Sequence, residues 1–225
     1  KFLNGDRKIF FSDTQIKTFL KIIVTSIFIL SVYLFLSNSS ELNLRSVLFN
    51  VISILTGTGY VNAQFDSWGG FSLILFIGLM FIGGCAGSTT CGIKIFRLQI
   101  LYSFVVNQLK KIIYPKWIFV LKYNQNPVDD KFTASIISFI YMYLVIFFTI
   151  TALLSLTGLD FITSISGAAT SISNVGPGLG STIGPNGNFS SLPDISKWIL
   201  SFGMILGRLE LFAILVLFLP SFWRN

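Results

Sequence analysis

Two short segments of small residues could bind a monovalent cation through their backbone. The first is Thr56-Gly57-Thr58-Gly59-Tyr60, and the second is Ser173-Asn174-Val175-Gly176-Pro177. Glycine tolerates backbone angles that side chains forbid, so such segments can turn successive carbonyl oxygens toward one axis. A ring of these oxygens can replace the water shell of the cation. For the first segment alone, an outer loop with a glycine turn is an equal alternative, and the second segment favours the cation site.

A third segment, residues 83–92, interrupts an apolar stretch with four glycines and three hydroxyl residues. A phosphate-binding loop is excluded, because that motif needs Lys directly after its second Gly and Ile93 intervenes. We expect a flexible, unwound loop at mid-membrane that obstructs a path below the carbonyl segments; a merely kinked helix is the alternative. We call residues 83–92 the gate loop. The predicted gate residues are Gly83, Gly84, Cys85, Ala86, Gly87, Ser88, Thr89, Thr90, Cys91, Gly92 and Lys94.

Arg208 and Glu210 are charged residues inside the last apolar stretch of the chain. A charge at that depth costs roughly 2.5–3.5 kcal/mol, so Arg208 is expected to face a polar cavity or a partner. Beside a cation path, Arg208 would raise the barrier to permeation. The alternative is a structural role, with Arg208 bound to backbone carbonyls or to Glu210. We interpret Glu210 as a structural partner rather than an ion ligand.

The composition indicates an integral membrane protein and excludes several kinds of catalytic site. Of the 225 residues, 53% are hydrophobic and 11% are charged, whereas soluble domains average about 25% charged residues. The chain has no His, which excludes a histidine-based metal site and a Ser-His-Asp triad. Cys85 and Cys91 are too few for a zinc site or a disulfide scaffold. Because permeation past backbone carbonyls requires no covalent chemistry, we predict that the protein is not an enzyme.

Helices in a membrane must position these segments. A helix that spans the bilayer needs about 20 mostly apolar residues. Four predicted spans run from Phe19 to Leu36, Gly70 to Gly84, Phe132 to Thr157 and Trp198 to Phe222. After the second span, apolar residues resume at Ile93 and continue to Val106. This pattern predicts one helix that is interrupted in the middle. Two further runs, Leu44 to Leu55 and Phe161 to Ile172, are too short to span and are predicted to be re-entrant.

The charges predict the orientation of these spans. Residues 94–131 hold seven Lys or Arg against two acids, and residues 1–21 hold five against two. By the positive-inside rule, both termini and the central linker are cytoplasmic. The net charge is +7, and the basic residues lie between the apolar stretches. We therefore attribute the charge to membrane topology and predict no nucleic-acid partner. The basic linker either contacts inner-leaflet lipid or docks a cytosolic regulatory protein.

The two halves of the chain repeat one pattern of span, short re-entrant helix and second span. An offset of 117 residues aligns Ser53 to Gly59 with Thr170 to Gly176. Both units enter the membrane from the same side, so the predicted repeat is parallel. Inverted repeats are the commoner sign of a secondary transporter.

Together these segments resemble the Trk/Ktr/HKT superfamily of cation transporters, and most closely its TrkH-type potassium uptake subunits. The resemblance covers essentially the whole chain. The motifs that carry it are Gly83-Gly84-Cys85-Ala86-Gly87-Ser88-Thr89, Asn174-Val175-Gly176-Pro177-Gly178-Leu179-Gly180, Gly207-Arg208-Leu209-Glu210 and Pro220-Ser221-Phe222-Trp223-Arg224. It implies an all-α membrane fold in which four membrane-pore-membrane repeats surround one pore, and this chain looks like the third and fourth.

The resemblance also implies a role for each segment. Residues 56–60 and 173–177 would be the third and fourth segments of a K+ selectivity filter, and the gate loop would close the path below it. The key glycines of the two filter segments would be Gly59 and Gly176. Lys94 would be the family's basic residue after the gate loop, and Arg208 would line the cavity. K+ at the filter would be the only metal ion, and no covalently bound cofactor is expected.

The resemblance further implies the organisation and partners of the chain. The expected division is a cytoplasmic connector at 1–18, a pore repeat at 19–114, a cytoplasmic linker at 115–131 and a pore repeat at 132–225. The expected partners are the remaining two pore repeats, a second copy in a homodimer, a cytosolic nucleotide-binding regulatory subunit of the TrkA/KtrA type, and membrane lipid. The expected location is the bacterial inner membrane.

The chain departs from the family pattern in two respects. Thr90-Cys91 stands where many relatives have a glycine-richer loop, which bears on the flexibility of the gate. Two repeats supply only two of four filter segments, so we expect a fragment, a truncated product or part of a split protein, with no signal peptide. Two alternatives are a broken-helix secondary transporter that couples the cation to H+ or Na+, as in symport, and a non-conducting remnant.

Overall fold

The computed structural model describes residues 13–37, 43–117, 119–124, 126–209, 211–217 and 220–223. Within them, eight α-helices and one short hairpin account for most of the chain. The helices are α1 (Thr14–Leu36), α2 (Leu44–Leu55), α3 (Gly70–Phe81), α4 (Ile95–Ile113), α5 (Asp130–Leu156), α6 (Phe161–Ser173), α7 (Asp194–Arg208) and α8 (Leu211–Leu217). The strands are β1 (Lys122–Tyr123) and β2 (Asn126–Pro127), and 3-10 turns cover Phe189–Ser191 and Pro220–Trp223.

Polar residues fix the starting points of three helices. The side chains of Asp13, Asn43 and Asp160 each accept a hydrogen bond from a backbone N–H in the first turn of α1, α2 and α6. These caps satisfy donors that have no partner inside the helix. The two short re-entrant helices of the sequence analysis therefore begin where an Asn or Asp precedes an apolar run.

Among the described residues, α1 and α5 are the helices long and apolar enough to cross a membrane. Their 23 and 27 residues correspond to about 35 and 40 Å at the helical rise, against about 30 Å of hydrocarbon. They coincide with the first and third predicted spans. Helix α1 begins at Thr14, inside the segment 1–18 that we expected to be a cytoplasmic connector.

The second and fourth predicted spans are both broken. Helix α3 ends at Phe81 and α4 begins at Ile95, with the gate loop between them, as the interrupted pattern predicts. The fourth was expected as one helix from Trp198 to Phe222, and this was wrong. Helix α7 ends at Arg208 because Leu209 adopts φ −92° and ψ 15°, which is outside helical geometry.

The central linker contains a structure that an all-α fold lacks. Strands β1 and β2 pair antiparallel, with Tyr123 opposite Asn126. Asn124 takes a left-handed conformation with φ +48°, and Pro127 has no N–H to donate to a helix. These two residues explain why the segment between α4 and α5 turns into a hairpin.

The two halves of the chain share one hydrophobic core. Helix α6 lies in the middle of it, in contact with α3 from the first half and with α5 and α7 from the second. The side chains of α6 are mainly Ser, Thr, Ala and Gly, and the helix is buried along most of its length. Small residues allow helices to approach closely in a membrane, where hydrogen bonds and van der Waals packing drive association.

Candidate functional site

The first carbonyl segment, residues 56–60, leaves the end of α2 through a left-handed turn. The N–H of Gly57 donates to the carbonyl of Ile54 at 3.1 Å, and the N–H of Thr58 donates to the carbonyl of Ser53 at 3.0 Å. Gly57 has φ +66°. The hydroxyl of Ser53 donates to the carbonyl of Tyr60 at 2.6 Å, so that carbonyl already has a protein partner.

The second carbonyl segment, residues 173–177, leaves the end of α6 in the same way. The N–H of Asn174 donates to the carbonyl of Ser171, and the N–H of Val175 donates to the carbonyl of Thr170, both at 3.2 Å. Asn174 has φ +51°. Each bond and each left-handed residue lies 117 positions after its counterpart in the first segment.

The remaining carbonyls of the two segments have no donor within the described part of the chain. The N–H groups of this region donate to the carbonyls of Ser53, Ile54, Thr170 and Ser171, which precede the segments. The carbonyl oxygens of residues 56–59 and 173–177 accept no hydrogen bond from described residues. Peptide carbonyls need a partner, so these oxygens are available to water or to an ion.

The structure brings the two segments together at their glycines. Gly59 and Gly176 have φ +74° and +113°, in the region that favours glycine. A Cβ on Gly59 would overlap the carbonyl oxygen of Val175 and would lie 3.2 Å from Cδ of Pro177. The two predicted filter segments therefore meet backbone to backbone.

The gate loop is held by hydrogen bonds of its own, and its flexibility stays a prediction. Its base is closed by a parallel bridge between Ile82 and Ile93. The N–H of Gly83 donates to Ile93, and the N–H of Ile93 donates to Phe81, both at 2.9 Å. The chain thus leaves α3, turns through the loop and returns beside its own starting point.

Hydroxyl groups hold the inside of the gate loop. Oγ1 of Thr90 accepts a hydrogen bond from the N–H of Gly84 at 2.8 Å and lies 2.7 Å from Oγ of Ser88. The Ser88 hydroxyl also reaches the carbonyl of Cys85 at 2.7 Å. Thr90, which departs from the glycine-rich pattern expected here, therefore stabilises this conformation of the loop.

Arg208 contacts the gate loop directly. Its Nη1 donates to the carbonyl of Thr89 at 2.9 Å and lies 3.8 Å from Sγ of Cys91. The preceding residue, Gly207, packs so closely against the carbonyl of Ile172 on α6 that a Cβ there would overlap it. This close approach places the end of α7 where the guanidinium reaches the loop.

A cavity of about 220 Å³ lies between the gate loop and helices α5 and α7. Three basic residues line it: Lys94, Arg97 and Arg208. The guanidinium of Arg97 also lies 3.8 Å from the ring centre of Phe139, a cation–π distance. Cations that share a small cavity make its potential positive.

Comparison with known proteins identifies the family. Residues 9–225 match the TrkH family model, described as a cation transport protein. The chain belongs to the TrkH family. It is 42% identical to the Trk system potassium uptake protein TrkI of Halomonas elongata, over 100% of this chain and 46% of the relative. It is 30% identical to TrkH of Escherichia coli, over 97% of this chain and 45% of the relative.

A solved TrkH structure has the same fold. The crystal structure of the potassium transporter TrkH from Vibrio parahaemolyticus superimposes with a TM-score of 0.88 and 29% identity, over 96% of this chain and 46% of that one. The chain thus spans about half the length of the TrkH relatives it matches. The family description and the names of the relatives are those of transport proteins and not of enzymes.

Two further residues that contact these segments carry no sequence signal of their own. Oε1 of Gln15, at the start of α1, accepts a hydrogen bond from the N–H of Ala86 in the gate loop at 2.7 Å. The hydroxyl of Tyr143 on α5 lies 2.8 Å from Oγ of Ser173. A polar residue at a helix start and a Tyr in an apolar helix are too common to be singled out before the tertiary contacts are known.

The other predicted residues have these positions. Lys94 is the residue that precedes α4 and lines the basic cavity. Gly83 and Gly84 are buried, while Ala86, Gly87 and Thr89 are exposed. Glu210 lies outside the described residues.

Proposed function

We propose that this chain supplies two of the four pore segments of a potassium uptake protein in a bacterial inner membrane. In the proposal, backbone carbonyls of residues 56–59 and 173–177 replace the water shell of K+ in the filter. The gate loop obstructs the path on the cytoplasmic side. The names of the relatives, which are potassium uptake proteins, support K+ as the ion.

The observation that carries the filter assignment is the set of carbonyls at the ends of α2 and α6 that accept no hydrogen bond from the described residues. Irregular backbone is tolerated at membrane depth where it is buried in protein or lines a water-filled cavity. Both segments present such carbonyls after the same left-handed turn, and they meet where Gly59 lies against the carbonyl of Val175. Because the Tyr60 carbonyl is bound to Ser53, we leave that oxygen out of the proposed ion ligands.

The gate assignment is supported by the contacts of the loop. Arg208 donates to the carbonyl of Thr89, and three basic side chains line the adjacent cavity. A positive cavity repels K+, so the closed loop and Arg208 together form a barrier. Movement of the loop away from Arg208 opens the path.

The organisation of the whole protein belongs to the same proposal. Residues 19–114 and 132–225 form two pore repeats, and two further repeats complete the pore. The basic linker faces the cytoplasm, where it meets lipid and a nucleotide-binding regulatory subunit, and the assembled protein forms a homodimer. The chain covers about half of each relative. This coverage supports the proposal that two further repeats are supplied elsewhere.

Growth rescue tests this function. A bacterium without its potassium uptake systems is grown on limiting K+, with this chain alone and with the chain joined to two preceding pore repeats. We expect rescue from the joined protein only. The same protein with Gly59→Asp should insert in the membrane but lose selective uptake, measured with K+ and Na+ in proteoliposomes.

The outcomes separate the alternatives. Rescue by the chain alone contradicts the half-pore proposal, because two copies would then close a pore. Unchanged K+ selectivity of Gly59→Asp contradicts the filter assignment. No rescue from the joined protein, with normal membrane insertion, favours the non-conducting remnant.

A further inference from the structure

Tyr143 is a buried tyrosine in the middle of α5 whose hydroxyl reaches the second filter segment. The side chain is 1% exposed, and its oxygen lies 2.8 Å from Oγ of Ser173, which is itself 2% exposed. A hydroxyl in an apolar environment is costly unless it has a partner. The neighbouring buried positions on this face of α5 are Phe139 and Phe147, so a hydroxyl is not needed for packing.

The partner of Tyr143 has a special position in the chain. Ser173 is the last residue of α6 and the first residue of the segment 173–177. The backbone turns into its left-handed conformation at the next residue, Asn174, whose side chain donates to the carbonyl of Met204 at 3.0 Å. The start of the filter segment is thus held by α5 on one side and by α7 on the other.

The ring of Tyr143 contacts the residue that precedes the base of the gate loop. It packs edge-on against Phe81, with ring centres 5.9 Å apart. Phe81 is the last residue of α3, and its carbonyl accepts the hydrogen bond from Ile93 that closes the base of the gate loop. The ring of Tyr143 also lines the basic cavity beside Cys91 and Arg208.

We propose that Tyr143 is a positioning residue that sets the geometry of the second filter segment and links it to the gate loop. This inference rests on the proposed function, because it assigns residues 173–177 to the filter. The aromatic ring is rigid, so a displacement of Phe81 moves the hydroxyl and with it Ser173. Opening of the loop and the ion preference of the filter are therefore coupled through one side chain.

The test uses Tyr143→Phe, Ser173→Ala and the double variant in the complete four-repeat protein. The ratio of K+ to Na+ permeability and the open probability are measured in planar bilayers. Loss of one buried hydrogen bond is expected to lower the permeability ratio roughly three- to tenfold. The double variant should lower it no further than either single variant, because both remove the same interaction. Thermal stability in detergent is followed in parallel.

Tyr141→Phe is the matched control. Tyr141 lies on the same helix, is 65% exposed, and makes no hydrogen bond among the described residues. Its loss of a hydroxyl should change neither the permeability ratio nor the open probability. If Tyr143→Phe does not fold, Ser173→Ala alone decides the question.

Two negative results have different meanings. If Gly176→Ala alters selectivity but Tyr143→Phe and Ser173→Ala do not, the role of Tyr143 is overturned and the filter assignment stands. If the glycine variant also leaves selectivity unchanged, the proposed function itself fails. A lower thermal stability of Tyr143→Phe with an unchanged permeability ratio would reduce Tyr143 to a packing residue.

Discussion

The Cα atom of Gly59 packs against the carbonyl oxygen of Val175, and no side chain fits between them. This contact joins two segments that are far apart in sequence and that leave their helices by the same hydrogen bonds. It places glycine at the point where two halves of the chain present backbone to each other.

Gly59→Ala should therefore impair the filter. A Cβ in this left-handed conformation costs roughly 1–2 kcal/mol by itself, and it would overlap Val175. We expect the K+ to Na+ uptake ratio of the complete protein to fall roughly tenfold or more. Gly78→Ala is the control, because a Cβ at Gly78 would meet nothing within 4 Å. Equal ratios for the two variants would contradict the prediction.

Arg208→Ala should raise K+ flux by releasing the gate loop. The variant loses the charged hydrogen bond to Thr89, and because Arg208 is exposed we expect a contribution of about 1 kcal/mol. Arg208→Lys should give an intermediate flux, because an ammonium cannot reproduce the guanidinium geometry. The measurement is single-channel current and open probability.

The control for Arg208 comes from the same helix. Lys197 pairs with Asp194 at 3.1 Å on an exposed surface, where an ion pair contributes little. Lys197→Ala should leave the flux unchanged. A flux of Arg208→Ala equal to that of the unaltered protein would leave Arg208 with a structural role.

Gln15→Leu should also favour the open loop. The substitution removes the acceptor for the N–H of Ala86, and one such bond contributes roughly 0.5–1.5 kcal/mol. We expect a two- to tenfold increase in open probability, since about 1.4 kcal/mol corresponds to tenfold. Gln108→Leu serves as the control, because Gln108 is exposed on α4 and makes no hydrogen bond among the described residues. A similar change in both variants would exclude a specific role for Gln15.

Asp160 should make the stability of helix α6 depend on pH. Hydrogen bonding by Thr163 lowers the pKa of the Asp160 carboxyl below its ordinary value of 3.8, and partial burial opposes this. Because the folded-state pKa is lowered, the carboxylate stabilises the fold at pH above the ordinary value. This contribution is lost as the pH falls through the folded-state pKa.

Asp160→Ala tests this cap. The variant should lose about 0.5–2 kcal/mol of unfolding free energy at neutral pH, measured by thermal unfolding in detergent. Asp160→Asn should keep most of the capping hydrogen bond but lose the dependence on pH below about 4. An identical acid transition in Asp160→Asn and the unaltered protein would contradict the assignment to Asp160.

The sequence predicts the helices well where the physical cause is local. The short runs Leu44–Leu55 and Phe161–Ile172 appear as α2 and α6 with nearly the same bounds, because a polar cap begins each one and small or polar residues end it. The break after Phe81 follows from glycines that cannot maintain a lipid-facing helix. By contrast, the break after Arg208 was not predicted, because the charges of Arg208 and Glu210 interrupt the apolar stretch only briefly and apolar residues continue on both sides.

The contacts of the candidate site are less visible in the sequence. Residues 56–60, 173–177 and 83–92 have compositions that single them out, and they remain predictions as ion-binding and gating segments. Gln15 has no such composition, and its importance comes from an N–H that lies 71 positions away. Tyr143 is likewise one aromatic residue among many until Ser173 is known to lie beside it.

The sequence by itself determined the membrane class and the positions of the glycine-rich segments, and its charges predict the orientation. These properties depend on composition and spacing along the chain, which hydrophobicity and backbone sterics translate directly into local structure. The tertiary structure alone decided that Gly59 meets Val175, that Arg208 and Gln15 each bind the gate loop, and that Tyr143 contacts both Ser173 and Phe81. Such contacts depend on how buried helices pack, and packing joins residues whose separation in sequence carries no information about their distance.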